Sequence, residues 1–313
     1  MIKAALRDRM SWRPFRGGGR RQRHGLPEGV LGLGFGWKRT NKKRSAPNAL
    51  RVYVKRKHGR VPKREFIEDG WNGIPIDVIE VGRIRPHAAV MAGGSIGDQF
   101  GRCGTLGCVV TDGKSKFLLG SWHVMDYQNA GDGSQVFMPA PGSSSDFQFV
   151  GQIVASPHIT LGHATPYSFD AVIALIADGV DIDPTLPGLG QIAATPADLS
   201  GAHDNLPTVT IAGCATQGQS GEIEAVAEDV QVMYFQDSSA VGFMTNQVGI
   251  VGKNGDFSTA TDSGSLVVTE AGRQPVGILV GGGGTSSDID VPHSFASPIG
   301  AILSHFKMSI VTG

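Results

Sequence analysis

Short apolar runs, each closed by Gly, Asp, Ser or Pro, recur along most of this chain and direct it toward a β-rich fold. Glycine and proline supply the punctuation, 45 and 17 residues of 313. A run of five or six apolar residues between turn formers suits a strand and is too short for a typical helix. Strands are expected over Gly107–Thr111, Lys116–Gly120, Ala171–Ile176, Thr208–Ala212, Gln231–Phe235, Ser265–Thr269 and Pro275–Val280. Their spacing fits two antiparallel six-stranded-type β-barrels at about 98–180 and about 205–303. The segment Asp181–Pro207 joins them. Apolar residues at helical spacing over 298–306 predict a short closing C-terminal helix.

The net charge of zero conceals an uneven distribution. Up to residue 66 there are 20 Lys/Arg against three acids, which leaves 8 bases and 25 acids for the remainder. Residues 1–27, rich in Arg and Gly, have too little apolar surface to offset the entropy of ordering and are expected to be a disordered tail. A basic tail of this kind suits an acidic partner, either nucleic acid or the acidic remainder of the chain. Residues 28–85 read as a separate small α/β appendage, with strands at Gly29–Gly36, Leu50–Lys55 and Ile76–Val81 and a short helix at Pro62–Asp69. Residues 86–313 form the main domain. No run reaches the ~20 apolar residues that span a bilayer, and the first 30 residues lack the apolar core of a secretory signal. Three cysteines, Cys103, Cys108 and Cys214, give an odd count, which points to a reducing, cytoplasmic setting.

Chemistry enters at Thr261-Asp262-Ser263-Gly264-Ser265, a serine held among turn residues ahead of an apolar run. A serine hydroxyl attacks carbonyls only when a base takes its proton. His123 follows the Phe117-Leu118-Leu119 strand, and Asp170 opens the Ala171–Ile176 run. The order His, Asp, Ser and the intervals of 47 and 93 residues parallel a known nucleophilic triad, whose intervals are roughly 45 and roughly 93. The N–H groups of Thr261 and Ser263 are the natural oxyanion donors of such a turn.

The segments Gly104–Gly107, Leu119–Val124, Phe169–Val172, Asp262–Leu266 and Gly277–Gly281 resemble the trypsin-like (chymotrypsin-fold) serine peptidases. Within that family the chain looks most like the Nal1-like group, a likeness extending to Gly73–Gly82 and Ala212–Gly221 and covering roughly residues 28–305. The resemblance implies a cleft between two barrels, His123 as general base, Asp170 as orienting acid and Ser263 as nucleophile. It implies that Asp262, with Gly264, supports the oxyanion turn. Read from the residues alone, the Gly281–Gly284 run, with Gly281 and Gly282 as candidate substrate-binding residues, suits close approach of a substrate backbone, an anion cradle or a plain chain turn. The activity implied is endopeptidase hydrolysis of a polypeptide through an acyl-enzyme. Thr261 stands where the family usually has glycine, so a second reading is carried: a catalytically inactive, peptide-binding member of the fold.

Other motifs carry less. Gly93-Gly94-Ser95-Ile96-Gly97 matches a nucleophile elbow, but Gly101 and Gly104 break the helix that an elbow requires. Gly32-x-Gly34-x-Gly36 resembles a phosphate loop only loosely. Cys103-x4-Cys108 has no second pair to complete a zinc site, and neither Cys108 nor Cys214 has a basic neighbour to activate it. No metal or organic cofactor is implied, an oligomer is possible, and His293 and His305 read as structural. Phe257 and Asp256 both qualify for the floor of a specificity pocket.

Overall fold

A computed structural model describes residues 30–41, 43–54, 56–57, 70–71, 73–81, 90–162, 165–200, 206–234, 239–282 and 293–313. The basic tail of residues 1–27 and the helix expected at Pro62–Asp69 lie outside the described residues. The chain divides into two units, Met1–His87 and Ala88–Gly313.

The first unit contains β1 (Val30–Thr40), β2 (Lys43–Val54), β3 (Gly70–Trp71) and β4 (Ile74–Glu80) in one sheet, ordered β1-β2-β4-β3. β1 and β2 form an antiparallel hairpin, and β4 runs parallel to β2. Val30, Leu50, Val52, Val54 and Ile76 build its small core. The hairpin extends seven residues ahead of the expected strand start at Leu50, through Lys43–Ala49. That stretch is polar and contains Pro47, so its apolar alternation is weak and main-chain pairing with β1 defines it instead.

The second unit begins with β5 (Val90–Met91), β6 (Ser95–Asp98), β7 (Gly104–Thr105), β8 (Cys108–Thr111) and β9 (Lys116–Gly120). After the one-turn helix α1 (Trp122–Met125) come β10 (Gln135–Met138), β11 (Gln148–Ala155), β12 (Pro166–Tyr167), β13 (Val172–Ile176) and β14 (Ile182–Asp183). The rest are β15 (Thr208–Ala212), β16 (Gln217–Met233), β17 (Val241–Gly252), β18 (Leu266–Thr269), β19 (Pro275–Gly282) and β20 (His293–Pro298). Helix α2 (Ile299–Phe306) and β21 (Ser309–Ile310) end the chain.

These strands make two principal sheets, antiparallel except where β12 runs parallel to β17. One has the order β21-β8-β9-β13-β11-β10-β6-β7, so the C-terminal strand returns to extend the first sheet beside β8. The other runs β12-β17-β16-β15-β18-β19-β20, and a further β17–β20 pairing closes β15 to β20 into a six-stranded barrel. Closure removes the free edges that an open sheet would expose. The fold is mainly β, with one closed six-stranded barrel packed against an eight-stranded sheet, and the C-terminal helix lies where periodicity placed it.

Alternation along the strands sends one face inward in each sheet. Ile96, Leu118, Trp122, Val136, Ile153 and Val172 fill the first sheet's interior. Val209, Ile211, Ile250, Phe257, Val267 and Leu279 fill the second. A third cluster spans the two sheets and uses Phe169, Ile173, Leu266, Ile278, Ile299 and Ile302. Each fully buried side chain of this size contributes about 1.5–3 kcal/mol. The face-to-face packing therefore fixes how the ends of β9, β13 and β18 meet, and the candidate residues stand at those ends.

Candidate active site

His123 lies in α1, which begins just after β9, with Ser121 between them. Trp122 explains the helix. Its indole is fully buried, and its Nε1 donates to Asn129 Oδ1 at 3.0 Å, pinning the turn to the loop beyond it. Asp170 precedes β13, the neighbour of β9, so the register Val172↔Gly120 carries the carboxylate to the imidazole. His123 Nδ1 and Asp170 Oδ2 are 2.6 Å apart, and the His123 backbone N–H donates to Asp170 Oδ1 at 3.2 Å. An ionised carboxylate can only accept, so Nδ1 carries the ring proton and Nε2 the lone pair. Asp170 is fully buried, and its own N–H donates to Ser297 Oγ at 3.0 Å. Ser297 in turn donates to Gln247 Oε1 at 2.8 Å.

The second barrel brings Ser263 to the same region. Asp262-Ser263-Gly264-Ser265 is a type II turn: Ser263 has φ −50° and ψ 129°, Gly264 has φ 94°, and Ser265 N–H donates to Asp262 O at 2.9 Å. Only glycine takes the third position without strain. A Cβ on Gly264 would also lie 2.2 Å from Thr105 O. The Ser263 hydroxyl donates to the Val280 carbonyl at 3.0 Å.

The segment ahead of the serine is a 3-10 turn, Ala260–Asp262, built around the Asp262 carboxylate. Asp262 Oδ2 accepts from Thr259 N–H at 2.9 Å and Thr259 Oγ1 at 3.0 Å. Its Oδ1 accepts from the N–H groups of Ala215 and Thr216 at 3.1 and 3.0 Å. Four donors hold one buried anion, so the turn is anchored from within its own barrel. The first barrel grips it as well: Thr105 N–H donates to Ser263 O at 2.8 Å, and Thr105 Oγ1 to Thr261 O at 2.9 Å. Thr261 is outside the left-handed region, where a β-branched residue is strained, so its departure from glycine costs no backbone strain here.

Gly281 and Gly282 close β19 opposite Phe295 and Ser294 of β20. On the other side of β19, β18 reaches only Leu266, which pairs with Ile278. Beyond that pair the β19 edge runs past Ser263 with no strand alongside among the described residues. A Cβ built on Gly281 meets nothing within 4 Å among the described residues.

The remaining candidates separate clearly. Ser95 lies in β6, with Oγ 3.0 Å from Ser143 Oγ, and no helix follows it. Phe257 is fully buried in the second-barrel core, while Asp256 is partly exposed. His305 stacks edge-on against Phe169, and His293 Nε2 lies 3.0 Å from Glu224 Oε2. All three cysteines are free thiols. Burial pushes Cys108 up to about 12, whereas the hydrogen bond from Cys214 brings Cys103 down to about 6. Cys214 is correspondingly raised, chiefly by that same bond, and its sulfur lies 3.1 Å from Thr261 O. Among the described residues no group of three or more His, Cys, Asp or Glu forms a metal site, and no helix is long and apolar enough to cross a membrane.

Four residues about the site were not expected from sequence as contributors: Thr105, Tyr234, Gln247 and Ser297. Thr105 stands in the Gly104–Gly107 motif, which marked the place but not the role. Tyr234 follows the end of β16 and donates from Oη to Asp170 Oδ2 at 2.9 Å. Its contact depends on a long hairpin folding back, which no local pattern records.

The two-barrel architecture is that of the chymotrypsin-like proteins. Among solved structures, Thermobifida fusca protease A is similar at 20% identity and TM-score 0.51, covering 72% of this chain and all of that one. A Cellulomonas bogoriensis chymotrypsin matches at 16% identity and TM-score 0.50, covering 72% and 100%. A glutamic-acid-specific serine protease, described as using a histidine triad in substrate binding, matches at 21% identity and TM-score 0.51, covering 71% and 100%. At these identities the likeness shows the fold. No protein-family model matches the chain, and no curated protein does.

Proposed function

We propose that the chain is a serine endopeptidase that hydrolyses polypeptides through an acyl-enzyme on Ser263. The observation that carries this reading is the buried His123–Asp170 pair, bonded at 2.6 Å and set at the junction of the two sheets beside the Ser263 turn. Asp170 orients the imidazole and stabilises its protonated form. For attack, the Ser263 hydroxyl rotates from the Val280 carbonyl to His123 Nε2, which takes its proton as Oγ bonds the scissile carbonyl carbon. The N–H groups of Ser263 and Thr261 receive the developing oxyanion. Collapse breaks the C–N bond, and the imidazolium proton leaves with the amine. Water, deprotonated by the same nitrogen, then releases the acyl group and restores Ser263. The β19 edge at Gly281 and Gly282 suits an extended substrate added as a strand. The separate sheet unit before the barrels supports a place nearest the Nal1-like group.

A second reading, a peptide-binding scaffold without turnover, draws on the Ser263 hydroxyl being held by Val280 O. The two are separated by incubating the full chain with a diverse peptide mixture and identifying products by mass spectrometry. Cleavage at discrete bonds is expected, with kcat lowered about 10⁴-fold in Asp170→Asn, the scale of losing the correct tautomer in such a triad. Peptide binding without any cleavage would select the scaffold.

A further inference from the structure

Asp170 Oδ2 receives two donors. One is His123 Nδ1, at 2.6 Å, and the other is Tyr234 Oη, at 2.9 Å. Tyr234 is buried, with 3% of its surface exposed, and arrives from outside every motif that marked the site. The strand β16 carries it across the first sheet, where its N–H donates to Ala240 O at 2.9 Å and pins the end of the β16–β17 hairpin. Its ring lies 5.2 Å from the His123 ring and stands edge-on to Trp122 at 5.8 Å. Burial first, then the Asp170 charge, raises the phenol well above its ordinary range. The phenol therefore stays protonated and acts toward the carboxylate as a donor.

We propose that Tyr234 is a positioning residue of the catalytic set, which fixes the Asp170 carboxylate and moderates its hold on the His123 ring proton. This rests on the reading of His123, Asp170 and Ser263 as a peptidase triad. Two donors on one oxygen compete for the same electron density. Each weakens the other, and removal of one strengthens the bond that remains. Oδ1 also accepts the His123 N–H, so the Tyr234 bond leaves the carboxylate one orientation that satisfies all three donors.

The test is the low-field proton NMR resonance of His123 Nδ1–H in the full chain, assigned by its loss in His123→Gln. In Tyr234→Phe, which keeps the ring and its packing, the resonance is expected to move to lower field. Peptide turnover should fall about tenfold in kcat with KM unchanged, the scale of one hydrogen bond to a charged group. If Tyr234→Phe does not fold, 3-fluorotyrosine at position 234 decides the matter. Its more acidic hydroxyl donates more strongly, so the resonance should move to higher field. A resonance that stays in place in the folded variant, or does not follow the fluorinated phenol, overturns the proposal, as does its absence from the unaltered chain. The resonance needs no turnover. A shift in a protein whose Ser263 proves inert would leave the Tyr234 coupling standing and remove only the peptidase reading.

Discussion

Asp170 and Asp262 are both fully buried carboxylates, and the site is organised around how each is satisfied. Asp262 takes four donors from its own barrel and fixes a turn. Asp170 takes donors from His123 and Tyr234 and fixes a ring. An uncompensated charge at either position would cost several kcal/mol, so each must be fully bonded for the fold to persist. The three cysteines also differ in how they are held. The hydrogen bond between Cys103 and Cys214 lowers Cys103 to about 6 and raises Cys214. The thiolate is the reactive form, so above about pH 6 Cys103 is predicted to alkylate with iodoacetamide, and the rate falls as pH drops through that value. Cys108, held up at about 12 by burial, should stay unmodified in the native protein. Peptide mapping after a pH series checks both; equal labelling of Cys103 and Cys108, or no dependence near pH 6, would contradict the assignment.

At the scale of elements, the Ser263 turn joins the 3-10 turn to β18, and Gly264 is the position on which its geometry rests. An alanine there must adopt φ near 94° and place its Cβ against the Thr105 carbonyl. Gly264→Ala is predicted to cost about 1–3 kcal/mol from backbone strain and to slow acylation of Ser263, measured by denaturant titration and by probe-labelling rate. Unchanged stability and rate would show that the turn is looser than its bonds to Thr105 imply. The sequence made this element readable because turn chemistry is local: Asp-Ser-Gly-Ser carries its own conformation. The C-terminal helix was readable for the same reason. The α1 turn at His123 was not, since a four-residue helix has no periodicity and is held by the burial of Trp122. Nor was the reach of Tyr234, at the end of β16, to Asp170, which depends on a contact between residues 64 apart.

Across the whole molecule, two barrels each build half of the site. The first supplies His123, Asp170 and Thr105, and the second Ser263, the Asp262 turn and the β19 edge. The order and intervals of His123, Asp170 and Ser263 pointed to a triad in the sequence, and of these the structure bonds His123 to Asp170 at 2.6 Å while the Ser263 hydroxyl donates to Val280 O. The bond network that unites the halves, through Thr105, Ser297 and Gln247, follows from packing between sheets and leaves no trace in local pattern. The central claim is that this assembly activates one serine out of all those in the chain. Labelling the full-length protein with a fluorophosphonate and locating the adduct by peptide mapping tests it most directly. A single adduct on Ser263 is predicted, lost in Ser263→Ala and strongly slowed in His123→Ala; an adduct on another residue, or equal labelling of Ser263→Ala, would contradict it.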